Sequence, residues 1–395
     1  MGTLGCGTAA TSSSRSRGSV GGQAGRRCRR VAQPCHRGSG SQRRVQLDTH
    51  ACDRARIING APWAARRHPE PPRRWILKAR FASGRRRPRP AHATMDILDA
   101  QATAGLLPFD RLIPAVAQAM RDLRAGTIHA ATRSVLPLPE GGSYLAMPCT
   151  DAQYAITKLV AVTPANRALG QPTIQGRLLV SSASHGEPLL VMDGSVVTAR
   201  RTAAVTLLGI ETLLQRPPAV LTLVGTGEQA RSHAWAMSQR WPGVQLRCVG
   251  RNRGQGEAFA AQLSKEGLSG LRGMALDQAL EDCEVTVAAT TSLSAVLPAH
   301  VADPTLIVGI GSFTPQMAEL PASEVRRRQV WVDDLDGARH EAGDLLQAGI
   351  DWTRVHSLAE ALRHPDLIRA PLLFKTVGHA AWDLAAVRVA LQPKP

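Results

Sequence analysis

Long apolar runs are missing from this chain. None approaches the ~18–20 residues needed to span a bilayer, so no membrane partner is expected. Cysteine supplies no framework: there are seven, none in C-x-x-C spacing, which leaves no paired thiolates for a structural zinc site or a redox motif. H-E-x-x-H and G-x-S-x-G are both absent and the twelve histidines are dispersed, against a zinc hydrolase or a serine-nucleophile enzyme. No metal is expected.

Acidic residues are scarce in the first quarter. Residues 1–94 hold 21 of the 48 Lys+Arg and only Asp48, Asp53 and Glu70 of the 31 acidic residues. The rest of the chain has 27 basic against 28 acidic residues, so the formal charge of +17 belongs to the N-terminal quarter alone. That quarter has one lysine, Lys78, against twenty arginines. It carries Cys6, Cys28, Cys35 and Cys52, and shows almost no apolar periodicity. Met95 is followed at once by patterned sequence, MDILDAQATAGLLPFDRLIPAVAQAM. The expectation is that natural translation starts at Met95 and that residues 1–94 come from an over-extended gene start. An Arg- and Ser-rich targeting peptide and a basic tail binding nucleic acid by counterion release are the other two readings. The near-neutral remainder argues against a nucleic-acid partner. Cys149, Cys248 and Cys283 lie in apolar surroundings and read as buried, reduced thiols of a cytoplasmic protein.

Past Met95 the pattern has three parts. Residues 96–125 read as an N-terminal helix, with Leu112, Ile113, Val116, Met120 and Leu123 near helical spacing. Short β-like runs follow (ATRSVLPL, GSYLAMP, AQYAITKLVAV, TIQGRLLVSS, PLLVMDG), then a helix over Ser195–Gln215 that Pro217-Pro218 ends. From VLTLVG (220–225) strands and helices alternate through QLRCVG, EVTVAAT, TLIVGIG and QVWVDD, which argues for a parallel sheet with helices on both faces. From about 336 the pattern returns to helices, the last being FKTVGHAAWDLAAVRVAL, apolar on much of its circumference. The expected fold is α/β, with a Rossmann-like doubly wound parallel sheet (218–335) inserted into an α+β substrate-binding and dimerisation domain (95–217 and 336–395).

The turn after the first of these strands, VGTGEQA, matches G-x-G-x-x-A in the right context. Gly225 ends a strand where a tight turn needs freedom in φ. Gly227 lets backbone approach a pyrophosphate, and Ala230 is small enough for close helix–strand packing. With Thr226, Glu228 and Gln229 this makes a dinucleotide site, the helix N-terminus facing the phosphates. The next strand ends in CVGRNRGQ, with no carboxylate for a ribose 2′-hydroxyl. Arg251 and Arg253, flanking Asn252, suit a 2′-phosphate. The cofactor expected is NADPH, with NADH a weaker cosubstrate; two solvated surface arginines are the alternative reading. Thr290, at a strand's carboxyl end, is a further candidate contact. The E-A-G-D run, Glu341–Asp344, suits a helix cap or an interdomain hydrogen-bond network better than a metal site.

ITKLVAVTPANRALGQPTIQGRLLV, GEPLLVMDGSVVTARRTAAV, VGTGEQARSHAWAM, GSFTPQMAEL and VDDLDGARHEAGDLL together resemble the ornithine cyclodeaminase/μ-crystallin family, in order and over nearly all of 95–395. The resemblance implies a homodimer whose substrate domain faces a Rossmann-like domain across a cleft. It gives Lys158 (K-x-V), Arg201 (T-A-x-R-T) and Arg133 (ATRSVLP) as the residues holding a substrate carboxylate, and Asn166 (P-x-N) as a cofactor contact. The residue types agree, since bidentate guanidinium suits a carboxylate and a lysine in an apolar strand is costly unless used. Cyclodeaminases carry an aspartate where this chain has Phe313, so the reductase branch is expected. It reduces ketimines bearing a 2-carboxylate, here Δ1-pyrroline-2-carboxylate to L-proline, with the six-membered piperideine to L-pipecolate as a second substrate. Lys158 or a bound water would supply the imine proton. Ornithine cyclodeamination, or a μ-crystallin-like ligand-binding role without catalysis, is the alternative.

Overall fold

The computed structural model describes residues 95–392; the three readings of residues 1–94 lie outside the described residues. The first strand is β1 (Asp96–Ile97). Where the sequence suggests one helix over 96–125, there are two: α1 (Ala100–Gly105) and α2 (Phe109–Arg124). Pro108 divides them, because the residue before a proline is driven out of the helical region and proline itself has no N–H to donate. The helical spacing still chooses the buried face of α2, with Leu112, Ile113, Val116 and Met120 in the core.

Strands β2 (His129–Ala130), β3 (Ser134–Pro137), β4 (Ser143–Thr150), β5 (Tyr154–Val162), β6 (Ile174–Ser182) and β7 (Pro188–Asp193) complete a seven-stranded sheet. Its order is β1-β7-β6-β5-β4-β2, with β3 on the same edge of β4 as β2. All pairings are antiparallel except β1 with β7. Asp193 then caps α3 (Gly194–Leu214), its carboxylate accepting from the Ser195 and Val196 amides at 3.0 Å. Gln215, in the left-handed region, closes that helix just before the two prolines.

The second sheet holds β8 (Val220–Val224), β9 (Gln245–Val249), β10 (Leu271–Gly273), β11 (Val285–Ala288), β12 (Leu306–Gly309), β13 (Gln329–Val332), β14 (Val355–Ser357) and β15 (Leu372–Lys375). All are parallel, in the order β10-β9-β8-β11-β12-β15-β13-β14. The first five positions have the order of a dinucleotide-binding sheet, whose direction of winding reverses between β8 and β11. Helices α4 (Glu228–Arg240), α5 (Arg253–Lys265) and α6 (Leu276–Leu280) connect its first half, and α7 (Ala322–Arg327) precedes β13.

The stretch from 336 departs from the sequence expectation. Helices α8 (Leu335–Glu341), α9 (Gly343–Ala348), α10 (Leu358–Ala361) and α11 (Ala380–Leu391) are there, but so are β14 and β15, which extend the second sheet. That sheet therefore reaches beyond residue 335. A four-residue strand buried on both faces, such as LLFK, shows no alternation by which sequence periodicity could separate it from a buried helix. The helix expected from Phe374 starts only at Ala380. Gly378 is in the left-handed region (φ 81°) and His379 caps the helix by accepting from the Ala381 amide.

Helix α11 packs back on α2 and α3, as its apolar circumference requires. Helix α3 is the common wall between the sheets. It lies on β6 of the first sheet, and its Gly209 meets Phe374 of β15 so closely that a Cβ there would sit 2.4 Å from the ring. Among the described residues no helix is long and apolar enough to cross a membrane.

Candidate active site

A cleft of about 1480 Å³ opens along α3, bounded by β4 and β5 of the first sheet and by the carboxyl ends of β8, β9, β11 and β12. On the nucleotide side, Gly225 has φ 126°, and a Cβ on it would lie 2.4 Å from the Ala289 carbonyl. Only glycine fits that crossing of β8 and β11. Gly227 caps the thirteen-residue α4, and a Cβ on it would meet nothing within 4 Å, so its backbone faces open space. Thr226, Glu228 and Gln229 line the cleft beside it, while Ala230 is fully buried under the helix, where its size matters. These residues fit a pyrophosphate: an open approach and unpaired amides at the positive end of a helix.

Arg251, Asn252 and Arg253 also line the cleft. Asn252 caps α5, accepting from the Gln255 amide at 2.9 Å, and Arg253 is paired with Glu257 at 2.8 Å. The Arg251 guanidinium has no carboxylate partner among the described residues. Thr290 lies in the cleft, its amide held by Glu319. The Glu319 carboxylate also takes the Gly311 amide at 2.5 Å and the Ser312 amide at 3.1 Å, and so ties together the loops after β11 and β12. Burial pushes Glu319 up to about 7, against the pull of Lys375. Asn166 is placed differently. It is in a short turn of helix after β5, its side chain donates to the Pro172 carbonyl at 2.9 Å, and its neighbours Arg167 and Pro172, not Asn166, line the cleft.

On the opposite wall, β5 alternates, and Ile156, Lys158 and Val160 face inward. Lys158 is 2 % exposed, between Met147 of β4 and Leu178 of β6. A lone ammonium there would be costly. It is met by Asp383 of α11, 0 % exposed, whose Oδ1 and Oδ2 lie 2.9 and 2.8 Å from Nζ. Arg201 of α3 donates from Nε to the same Oδ1 at 3.1 Å. Its terminal nitrogens lie against Gly378, where a Cβ would be 2.6 Å away. Burial pulls Lys158 down to about 8, opposed by Asp383. Arg200, one residue along α3, is turned elsewhere: its Nε donates to the Leu107 carbonyl at 2.7 Å and its guanidinium covers the Phe109 ring.

Arg133 comes from the turn between β2 and β3. Its Nε is 2.7 Å from Glu341 at the end of α8, and it donates to the Gly378 carbonyl at 3.0 Å. Burial pushes Glu341 up to about 7, with Arg133 opposing. At the other end of the E-A-G-D run, Asp344 accepts from the amides of Glu319 (2.5 Å) and Leu320 (2.9 Å). The 376–378 loop that Arg133 and Arg201 touch hangs on Asp333, which accepts from Thr376 Oγ1 (2.7 Å), the Val377 and Gly378 amides (3.0 Å each) and Trp382 Nε1 (3.1 Å). Sequence reading missed Asp383 and Asp333. Phe313 lines the cleft near Gly311.

The ornithine cyclodeaminase/mu-crystallin family model matches residues 94–390. The chain belongs to that family. It is 44% identical over 294 residues to a Δ1-pyrroline-2-carboxylate reductase of Burkholderia ambifaria, covering 74% of this chain and 94% of the relative. It is 43% identical over 302 residues to a Δ1-pyrroline-2-carboxylate/Δ1-piperideine-2-carboxylate reductase of Azospirillum brasilense, covering 76% and 96%. Among solved structures, the Δ1-pyrroline-2-carboxylate reductase of Thermococcus litoralis, in complex with NADH and L-proline, superposes with a TM-score of 0.69 at 25% identity over 75% of this chain and 96% of that one.

Asp333→Ala would leave four buried donors without their acceptor. It is expected to cost roughly 3–5 kcal/mol of stability, read as a lower urea midpoint, and to loosen the substrate wall with it.

Proposed function

We propose that the protein is an NAD(P)H-dependent oxidoreductase acting on the C=N bond of cyclic imino acids, reducing Δ1-pyrroline-2-carboxylate to L-proline and accepting the six-membered piperideine. The observation that carries this reading is the pairing, across one cleft, of a glycine turn at a helix N-terminus with a buried Lys158–Asp383–Arg201 cluster. Chains at 43–44% identity that bear the reductase name supply the reaction class.

The dinucleotide, when bound, supplies a hydride. The Gly225–Gln229 turn would hold its pyrophosphate and Thr290 would border its reactive end. The chain's own work is to fix the acceptor. Arg201 and Arg133 offer guanidinium nitrogens to the imine's carboxylate and so set which face of C2 is presented. Leu145, Met147 and Val160 wall that end of the cleft with apolar surface, which strengthens the charged contacts by excluding water. Lys158 Nζ, with its pKa pulled to about 8, carries a proton at neutral pH and releases it more readily than an ordinary lysine. That suits it to keep the imine nitrogen protonated. Phe313 stands where cyclodeaminases carry a carboxylate, which favours reduction over loss of ammonia.

NADPH is the preferred cofactor in this reading, because no carboxylate lies between Leu246 and Arg253 and, among the described residues, Arg251 has no carboxylate partner while Arg253 is engaged. The protein also acts as a homodimer in this reading. Among the described residues, Ile97, Leu136 and Leu179, all large and apolar, are exposed on the face of the first sheet turned away from the cleft, a surface suited to pairing with a second copy.

Steady-state assays with NADPH and NADH against both cyclic imines test the function; oxidation of neither cofactor would overturn it, and ammonia release from ornithine would favour the cyclodeaminase. Arg201→Ala should lower kcat/KM for the imine roughly 100-fold, through a higher KM and a lower kcat, while the NADPH dissociation constant stays within about twofold. Arg251→Ala should raise the KM for NADPH about 10-fold or more and leave NADH unchanged; equal losses would assign the arginine no part in the choice. Leu136→Asp should convert the dimer to monomer in light scattering, and an unchanged mass would place the interface elsewhere.

A further inference from the structure

We infer that Asp383 is a positioning residue for the reduction: set between Lys158 and Arg201, its carboxylate aims both cations into the cleft and leaves that wall one positive charge to be met by the substrate. This rests on the reductase reading above. The three groups come from separate elements, β5, α3 and α11, and converge through a single oxygen, Asp383 Oδ1, at 2.9 Å from Lys158 Nζ and 3.1 Å from Arg201 Nε. Oδ2 lies 2.8 Å from the same Nζ. Because Asp383 occupies Nε, the terminal nitrogens of Arg201 remain for a ligand, and Gly378 has no side chain to cover them.

The charge count decides the matter. Two cations on one wholly buried carboxylate leave an excess of one positive charge. Arg133 adds little to it once Glu341, 2.7 Å away and pushed by burial to about 7, is ionised. Around Lys158, α11 contributes Asp383, α3 contributes Arg201, the turn before β3 contributes Arg133, and β4 contributes Cys149, whose thiol is pushed up to about 12 by burial and by Asp383 and stays neutral. The register neighbours on β4 and β6, Met147 and Leu178, do not titrate. A substrate carboxylate would bring the wall to neutrality; a second anion would not be matched.

The test compares kcat/KM for Δ1-pyrroline-2-carboxylate from pH 6 to 10 in the wild type, Asp383→Asn and Asp383→Glu. In the wild type the value should fall above about pH 8 as Lys158 loses its proton. Asp383→Asn should move that limb down by about 1–3 pH units, and Asp383→Glu should return it most of the way, with NADPH affinity unchanged in both. The imine's own titration is common to all three proteins, so the difference between them reports the protein. An unmoved limb in an active Asp383→Asn overturns the assignment. Should Asp383→Asn fail to fold, a second pair decides. Lys158→Met leaves Arg201 neutralised by Asp383, whereas Lys158→Met with Asp383→Asn frees Arg201 and restores the single positive charge. The double variant should then have a KM for the imine roughly 10-fold lower than Lys158→Met alone. A merely structural Asp383 would make the double variant worse, and that result refutes the proposal. A wild type inactive on every imine removes the reductase reading instead, and this inference with it.

Discussion

One buried carboxylate sets the geometry of the cleft wall formed by β5, α3 and α11. Asp383 takes a cation from the middle of the first sheet and another from the helix that separates the two sheets, and it comes from α11, which packs on that helix and on the first sheet. Removing any of the three would strand charge in a low-dielectric interior, and such losses cost far more than the intact cluster contributes. Apolar residues of similar volume would hold β5, α3 and α11 together equally well. Stability alone is therefore a weak reason for the cluster.

A second carboxylate stands behind the first. Asp333, at the end of β13, gathers Thr376, Val377, Gly378 and Trp382, so the loop carrying Gly378 is fixed from below. Trp382 is adjacent to Asp383 in α11, so the hydrogen bond that fixes the indole also fixes the first turn of the helix from which Asp383 projects. On the nucleotide side Glu319 does comparable work, tying the loops after β11 and β12 while Asp344 receives its own amide. The cleft walls thus rest on buried acids that accept several hydrogen bonds each, and backbone loops become rigid supports.

Much of this was legible in the sequence, for identifiable reasons. The alternation of apolar strands with helices from Val220 onward predicts the parallel sheet, and β8, α4 and β9 fall where the periodicity puts them. Glycine turns read well because backbone crowding leaves no other choice, as at Gly225. Short strands did not: β15 is buried on both faces and β14, with three residues, is too short to show a period, so both were invisible among helices. Pro108 splits a helix whose buried face was otherwise correctly spaced. In the site, Lys158 stood out as a charge in an apolar strand. Asp383 offers the same signal with opposite sign, one acid in the apolar run HAAWDLAAV, and the two unmatched charges 225 residues apart are each other's explanation. Asp333 leaves no such trace, since an acid after a strand is ordinarily a helix cap, as Asp334 beside it is. Asn166 shows the limit of a short motif: the residue is there, but its amide stabilises its own turn.

The two arginines of this cleft wall, Arg133 and Arg201, differ in how their charge is compensated. Arg133 meets Glu341, a carboxyl that burial holds near neutrality's edge at about 7, and is anchored by the Gly378 carbonyl. Among the described residues, Arg201 shares its one carboxylate partner with Lys158. Where Glu341 is ionised, positive charge is least compensated on the Arg201–Lys158 side. Leu145, Met147 and Val160 line the cleft on that wall, and Phe313 lines it near Gly311 on the nucleotide side. That balance of charge suits a ligand bearing one anion better than one bringing a second negative group.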